Sequence, residues 1–231
     1  MIITIFEGQD AKFLSPINQV RASFELRCGA FTNLERIQNI LTKNDEIQLF
    51  VRNEIQDVIK ERHPHISVNP DSFLPGIWLN GQAIWTKDHI QKITSGRTFT
   101  HGGRTLAIHN NEAVSISDVL SYMENSSAVS MEMDISYIQN IWDIIFLQAE
   151  VITSDAQHFM DYKSGKIHPS VILENGDNIY IGNNSEIRPG VVLDASAGPI
   201  IIADYTYVDI GSLIQGPVYI GPYCTINPGA K

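Results

Sequence analysis

From about residue 167 onward the chain repeats with a period of six, and that period limits the possible folds more than any other feature. Ile181, Ile187 and Leu193 stand six apart, and so do Ile202, Val208, Ile214, Ile220 and Ile226. The step from Leu193 to Ile202 is nine, which is six plus three inserted residues. Four places after each aliphatic comes Ser185, Val191, Ala197, Thr206, Ser212, Val218, Cys224 or Ala230. Gly and Pro fill the intervals, as in IGNNSE, IRPGVV and IGPYCT. An exposed strand alternates every two residues and an amphipathic helix repeats every 3.6, so neither sustains a period of six. A unit with one inward aliphatic, one small neighbour and a turn predicts a parallel β-helix, three units closing one triangular circuit. Cys224 falls on the small inward position. Tyr180, Tyr205, Tyr207 and Tyr219 fall off the inward register, which predicts a partner surface.

The first 150 residues have a different texture. MIITIF and EIQLFVRN predict strands, and TNLERIQNIL predicts a helix. Thr32 is the N-cap of that helix, with Glu35 three residues on in a capping-box pattern. GIWLNGQAIW predicts two strands turning at Asn80-Gly81, and RTFTHGGRTLAIHNN a hairpin turning at Gly102-Gly103. Residues 117–124 and 135–148 are predicted helices. Strands alternating with helices predict an open α/β sheet, and such sheets bind ligands at the carboxyl ends of their strands. For the first strand that end is Phe6-Glu7-Gly8.

Composition narrows the function classes. The chain has 231 residues, with 26 acidic against 16 basic side chains and a formal charge of −10. That balance predicts no nucleic-acid partner and no anionic membrane surface. No apolar run approaches the roughly 20 residues of a membrane span, and no signal-peptide pattern is seen. The expected location is the cytoplasm. Cys28 and Cys224 are far apart and lack metal-ligand spacing, which predicts reduced structural thiols.

The combination of motifs resembles a known group. Glu7, Leu14-Ser15-Pro16, Arg21, Leu26-Arg27-Cys28-Gly29 and Thr32 open the chain. Leu79-Asn80-Gly81 and Trp142-Asp143-Ile144-Ile145 follow, and Ile167-His168-Pro169-Ser170-Val171 opens the repeats. This series resembles a divergent branch of sugar-1-phosphate nucleotidyltransferases. It is similar to the bifunctional uridylyltransferase–acetyltransferase family that makes UDP-N-acetylglucosamine. The resemblance implies an α/β fold, an open Rossmann-like nucleotidyltransferase sheet followed by a left-handed parallel β-helix of hexapeptide repeats. The expected organisation is a nucleotidyltransferase-like domain over 1–150, a linker over 151–166 and an incomplete β-helix over 167–231. Incompleteness is expected because the last residues, INPGAK, open a rung at Ile226 and close it at Lys231 with no capping segment. A longer parent protein is therefore expected.

The resemblance also implies a site. Ordinary members wrap a nucleoside triphosphate in a Gly-x-Gly-Thr-Arg loop followed by Pro-Lys. Laid over that pattern, Gly8 takes the first Gly, Lys12 the Arg, Pro16 the Pro and Arg21 the Lys. Lys12 and Arg21 are the implied catalytic cations, Gly8 and Arg27 the phosphate-binding residues, and Asn80 and Gly81 the substrate-binding pair. Arg27 is equally readable as a structural ion pair, and Lys12 and Arg21 as solvated charges. Mg²⁺ is the implied cofactor, with Asp143 as its ligand or else a helix-capping acid. Three departures stand out: Asp10 replaces the second Gly, where a carboxylate repels a triphosphate; Asn80-Gly81 stands where ordinary members place a metal-binding Asp, and Asn is a weaker Mg²⁺ ligand; and Gln148 replaces a later Asn of the branch. The implied reaction joins a nucleoside triphosphate and a sugar-1-phosphate into an NDP-sugar and pyrophosphate, in a homotrimer built through the β-helix. Two alternatives stay open, a non-catalytic sugar-nucleotide-binding or oligomerisation module and a hexapeptide acyltransferase. His168, the one His within the repeats, is expected to cap structure rather than catalyse.

Overall fold

The computed structural model describes residues 1–125 and 130–231. These divide into two compact units, one of Met1–Arg27 with Phe31–Ile145 and one of Cys28–Ala30 with Phe146–Lys231. Along the chain come β1 (Ile2–Phe6), α1 (Asn33–Ile40), β2 (Glu46–Phe50), α2 (Gln56–Arg62), β3 (Ser67–Val68) and β4 (Gly76–Asn80). Then follow α3 (Lys87–Gln91), β5 (Thr98–His101), β6 (Arg104–Asn110), α4 (Val119–Asn125), β7 (Ser130–Glu132) and α5 (Asp143–Asp155).

The first unit is an α/β domain around one mixed sheet, ordered β7-β5-β6-β4-β1-β2-β3 among the described residues. β1 is central and parallel to both β2 and β4, with Phe6 opposite Phe50 on one side and Asn80 on the other. Apart from the buried Thr4, its side chains are apolar on both faces because both faces are covered. Ile3 and Ile5 pack with Ile37, Leu49 and Leu79. Phe6 packs on the other face with Phe73, Trp78 and Val119. β6 runs antiparallel to β4, so its first residues lie beside the carboxyl ends of β1 and β4. The turn that delivers it is Gly102-Gly103, with φ of 56° and 78°, the paired left-handed geometry of a tight hairpin. α1 begins as expected: the Thr32 hydroxyl accepts from the Glu35 N–H at 3.1 Å, and the Glu35 carboxylate accepts from the Thr32 N–H at 2.7 Å.

Two expectations in this unit need correction, and they fail together. Residues 83–85 form no second hairpin strand, and 135–142 form no helix. Instead Ala83 bridges Tyr137 in antiparallel fashion. Ile84 N–H donates to the Ser136 carbonyl at 2.9 Å and Ile138 N–H to the Gln82 carbonyl at 2.9 Å. Each extended segment satisfies the other's backbone, while Ile135 and Ile138 are buried. Tertiary pairing here overrides local helical pattern. The helix starts only at Asp143, whose Oδ2 accepts from the N–H groups of Gln139 at 2.9 Å and Asn140 at 2.7 Å. It then continues through residues 151–155.

In the second unit the six-residue period becomes three small parallel sheets, each taking every third strand. The first holds Lys166–Ile167, Glu186–Ile187, Tyr207–Val208 and Thr225–Ile226. The second holds Ile172–Glu174, Val192–Asp194 and Leu213–Gln215, and the third Ile179–Ile181, Ile200–Ile202 and Val218–Ile220. Val208 pairs with Ile226, 18 residues on, or three sixes. Ile187 pairs with Val208, 21 residues on, because the three extra residues lie in that interval. Ile181, Ile187, Leu193, Ile202, Val208, Ile214 and Ile220 are all buried in one cluster. The buried hydroxyls of Ser185, Thr206 and Ser212 donate to the carbonyls of Ala203, Gly221 and Asn227 at 2.8, 2.9 and 3.0 Å. Two positions break the expected pattern. Ala197 is exposed and Ala195 fills the interior instead, since the insertion shifts the register. Tyr180 is buried, not exposed, while Tyr205 stacks in the open on Tyr223 with centroids 5.0 Å apart. Among the described residues no helix is long and apolar enough to cross a membrane.

Candidate functional site

A cavity of 400 Å³ opens in the first unit where β1 and β4 end and β6 begins. The lining includes Glu7, Gly8, Asp10 and Asn80, the turn Gly102-Gly103, Arg104 and Tyr137. A second hollow of 370 Å³ adjoins it, lined by His101, Asp134, Gln139 and Asp143. Arg104 and Tyr137 belong to both, so they form a shared wall. A larger hollow of 620 Å³ lies at the opposite edge of the sheet, around Gly96–Thr98 and Ile108–Ser115. Size alone favours the latter. The position at the carboxyl ends of parallel strands favours the former, because there the loops diverge and backbone donors face outward.

The chemistry of the wall centres on Arg104. Its Nε–H donates to the Asp10 carboxylate, and its guanidinium lies 5.8 Å from the Tyr137 ring centroid. Burial, reinforced by the Asp10 charge, pushes the Tyr137 phenol well above its ordinary pKa, so the hydroxyl stays protonated. Asn80 is buried, and its amide is largely committed. Nδ2 donates to the Thr105 carbonyl at 3.0 Å and the Tyr137 hydroxyl at 3.4 Å, while Oδ1 accepts from Gln82 N–H at 3.0 Å. One acceptor lone pair remains for a ligand. Gly8 is required by close approach: a Cβ there would stand 2.8 Å from Asn80 Nδ2 and 3.2 Å from Gln82 Oε1.

Glu7 holds the surrounding backbone. Oε1 accepts from Ser23 N–H at 3.0 Å and from Arg52 Nη1 at 2.6 Å, and Oε2 accepts from Arg52 N–H at 3.2 Å. Burial raises its pKa, and the Arg52 charge and hydrogen bonds oppose the rise.

The structure brings Gly8 and Asn80 to one cavity and places the expected cations elsewhere. Lys12 is exposed, its ammonium 5.2 Å from the Phe13 ring centroid. Arg21 is exposed, and its carbonyl accepts from Arg52 Nη2 at 3.3 Å. Arg27 pairs with Glu35 at 3.2 Å, the structural reading of that residue. Gly81 is set by packing: its N–H donates to the Phe6 carbonyl at 2.9 Å, its carbonyl accepts from Asn33, and a Cβ would meet Phe24 at 2.8 Å. Asp143 lines the second hollow but caps the turn at 139–140. In the other unit, Gln148 accepts from Gly29 N–H at 3.1 Å, and His168 Nδ1 contacts the Ser170 hydroxyl at 2.9 Å.

The carboxylates of the cavity do not fit a resident Mg²⁺ held by protein donors. Glu7 and Asp10 each face a guanidinium, which competes for the same lone pairs. No group of three or more His, Cys, Asp or Glu suited to a metal occurs among the described residues. Sequence reasoning missed Arg104 and Tyr137. The hairpin was legible, and an Arg directly after its Gly-Gly turn is a signal that could have been followed. Tyr137 was hidden by the mistaken helix.

The fold and cavity define an open-sheet α/β domain with a candidate ligand cavity at the carboxyl edge. More particularly, the chain belongs to the sugar nucleotidyl transferase family, whose model matches residues 3–163. No curated protein matches the chain.

Proposed function

We propose that this protein is a sugar-1-phosphate nucleotidyltransferase acting at the cavity walled by Arg104 and Tyr137. The observation that carries the reading is the placement of that guanidinium at the carboxyl ends of β1 and β4, within a domain of this family. In the proposed reaction an oxygen of the sugar phosphate attacks the α-phosphorus of a nucleoside triphosphate. The bond to the β-phosphate oxygen breaks, and pyrophosphate leaves. Arg104 supports charge developing on the phosphate oxygens. The protonated Tyr137 hydroxyl and the remaining Asn80 lone pair hold hydroxyl or base groups. Lys12 and Arg21, both exposed and outside the lining, have no role in this reading. Mg²⁺ enters only as a family expectation, and none of these roles runs through it.

For the second unit we propose a left-handed β-helix that assembles three copies of the chain. The every-third-strand pairing and the period of six support the β-helix, while the handedness and the threefold assembly follow from the family resemblance. Binding without turnover is the second reading, favoured by the fact that Asp10 already occupies Arg104. Acyl transfer has weaker support, because the His168 imidazole is engaged by its own turn.

The test is a panel of nucleoside triphosphates with sugar-1-phosphates, with and without Mg²⁺, scored for NDP-sugar by mass spectrometry and for pyrophosphate. At least one pair is expected to react, and Arg104→Ala to lose that activity. Turnover that survives Arg104→Ala overturns the site. Binding of a sugar nucleotide with no turnover of any pair replaces the transferase by the binding reading.

A further inference from the structure

We infer that Asp10 is a resident anion that occupies the phosphate position on Arg104 and must be displaced when ligand enters. The inference rests on the proposed function only in assuming that an anionic ligand enters this cavity. Asp10 sits in the short 3-10 segment Gln9–Leu14 that directly follows β1, and Arg104 opens β6, 94 residues later. Both line the same 400 Å³ cavity. The pair keeps contact with solvent: the Asp10 and Arg104 side chains retain 21% and 33% exposure. An ion pair of this kind contributes little to stability, because water still solvates both partners. Stability is therefore a weak reason for a carboxylate at this place. A carboxylate and a phosphate present the same feature to a guanidinium, two oxygens at matching spacing.

Arg104 is offset by Asp10, and Glu7 by Arg52. The lining thus offers an incoming phosphate no net positive charge until Asp10 swings away. Once displaced, the Asp10 carboxylate remains tethered close by and repels in proportion to ligand charge. Asp10 is thus a specificity-determining residue. It penalises a whole triphosphate tail laid on Arg104 more than a single phosphate group, so that position suits a sugar phosphate or the one phosphate under attack.

The probes are inorganic phosphate, pyrophosphate and tripolyphosphate, titrated calorimetrically into the full chain. Asp10→Asn keeps the size and removes the charge. It is expected to tighten pyrophosphate about tenfold or more, with the gain rising from phosphate to tripolyphosphate. Damage to the fold cannot produce tighter binding. Arg104→Gln is expected to remove most of the gain, so that Asp10→Asn/Arg104→Gln differs from Arg104→Gln alone only by the direct repulsion relieved. Unchanged or weaker binding by Asp10→Asn overturns the inference, as does an equal gain in the Arg104→Gln background. Should Asp10→Asn fail to fold, the wild type decides. Its Arg104 Nε–H resonance is expected to move on addition of pyrophosphate, and a stationary resonance overturns the inference. None of these readouts requires turnover. The inference therefore survives an inactive enzyme, and an active enzyme with no Asp10 effect removes the inference alone.

Discussion

Replacing Glu7 by Ala tests how the segment after β1 is held. The carboxylate is 5% exposed and accepts from Ser23 N–H, Arg52 N–H and Arg52 Nη1. Its removal strands two backbone donors and one guanidinium. Breaking a buried ion pair from one side costs about 3–5 kcal/mol. Arg52 keeps 30% exposure and a further bond to the Asn18 carbonyl, so water and backbone recover part of the loss. The expected destabilisation is about 3 kcal/mol, at the lower end of that range. Urea unfolding of wild type and variant measures it directly. The pH dependence is specific to the mechanism. Burial raises the folded pKa of Glu7 above its ordinary value. A raised carboxyl adds stability below its unfolded pKa and loses it as pH rises through the folded value. The gap between wild type and Glu7→Ala should therefore widen as pH falls from neutrality to the ordinary glutamate range. A loss under about 1 kcal/mol, the size of a single neutral hydrogen bond, refutes the bracing role. A gap that narrows on acidification shows that the Arg52 attraction outweighs desolvation and refutes the pKa argument.

Gly8→Ala forces a methyl within 2.8 Å of Asn80 Nδ2, and overpacking of this kind costs about 1–3 kcal/mol. A thermal melt should show the loss, and an unchanged midpoint would mean that the loop relaxes freely. In the repeats, Ile187 is fully buried while Ile172 is 53% exposed. Ile187→Ala should cost about 2–5 kcal/mol, whereas Ile172→Ala stays within about 0.5 kcal/mol. Equal costs in denaturant unfolding would contradict the inward register.

The repeats were legible because the period of six is imposed by geometry at every circuit, so one buried aliphatic after another records it. Where three residues were inserted, the record blurred. Ala197 was read as inward, yet Ala195 is the buried residue. α1 was legible from Thr32 and Glu35 because a capping box is a local interaction. The segment 135–142 was not, since its conformation depends on pairing with Gln82 to Ile84, more than fifty residues away. That same long-range pairing brings Tyr137 to the cavity, so the error in fold and the omission in site share a cause. The resemblance named Gly8 and Asn80, which both line the cavity at the carboxyl edge, and it read charge by register along one loop, whose Lys12 and Arg21 are not in that lining. The wall cation comes instead from a hairpin 94 residues away.

The central claim is that ligand binds at the carboxyl edge of the sheet, at the wall formed by Arg104. The most direct measurement is backbone and side-chain amide NMR of the full chain during titration with a sugar-1-phosphate and then a nucleoside triphosphate. Shifts are expected to cluster at Gly8, Asn80, Gly102, Gly103 and Arg104. Shifts clustered instead around Gly96–Thr98 and Ile108–Ser115, at the larger hollow on the opposite edge, would contradict it.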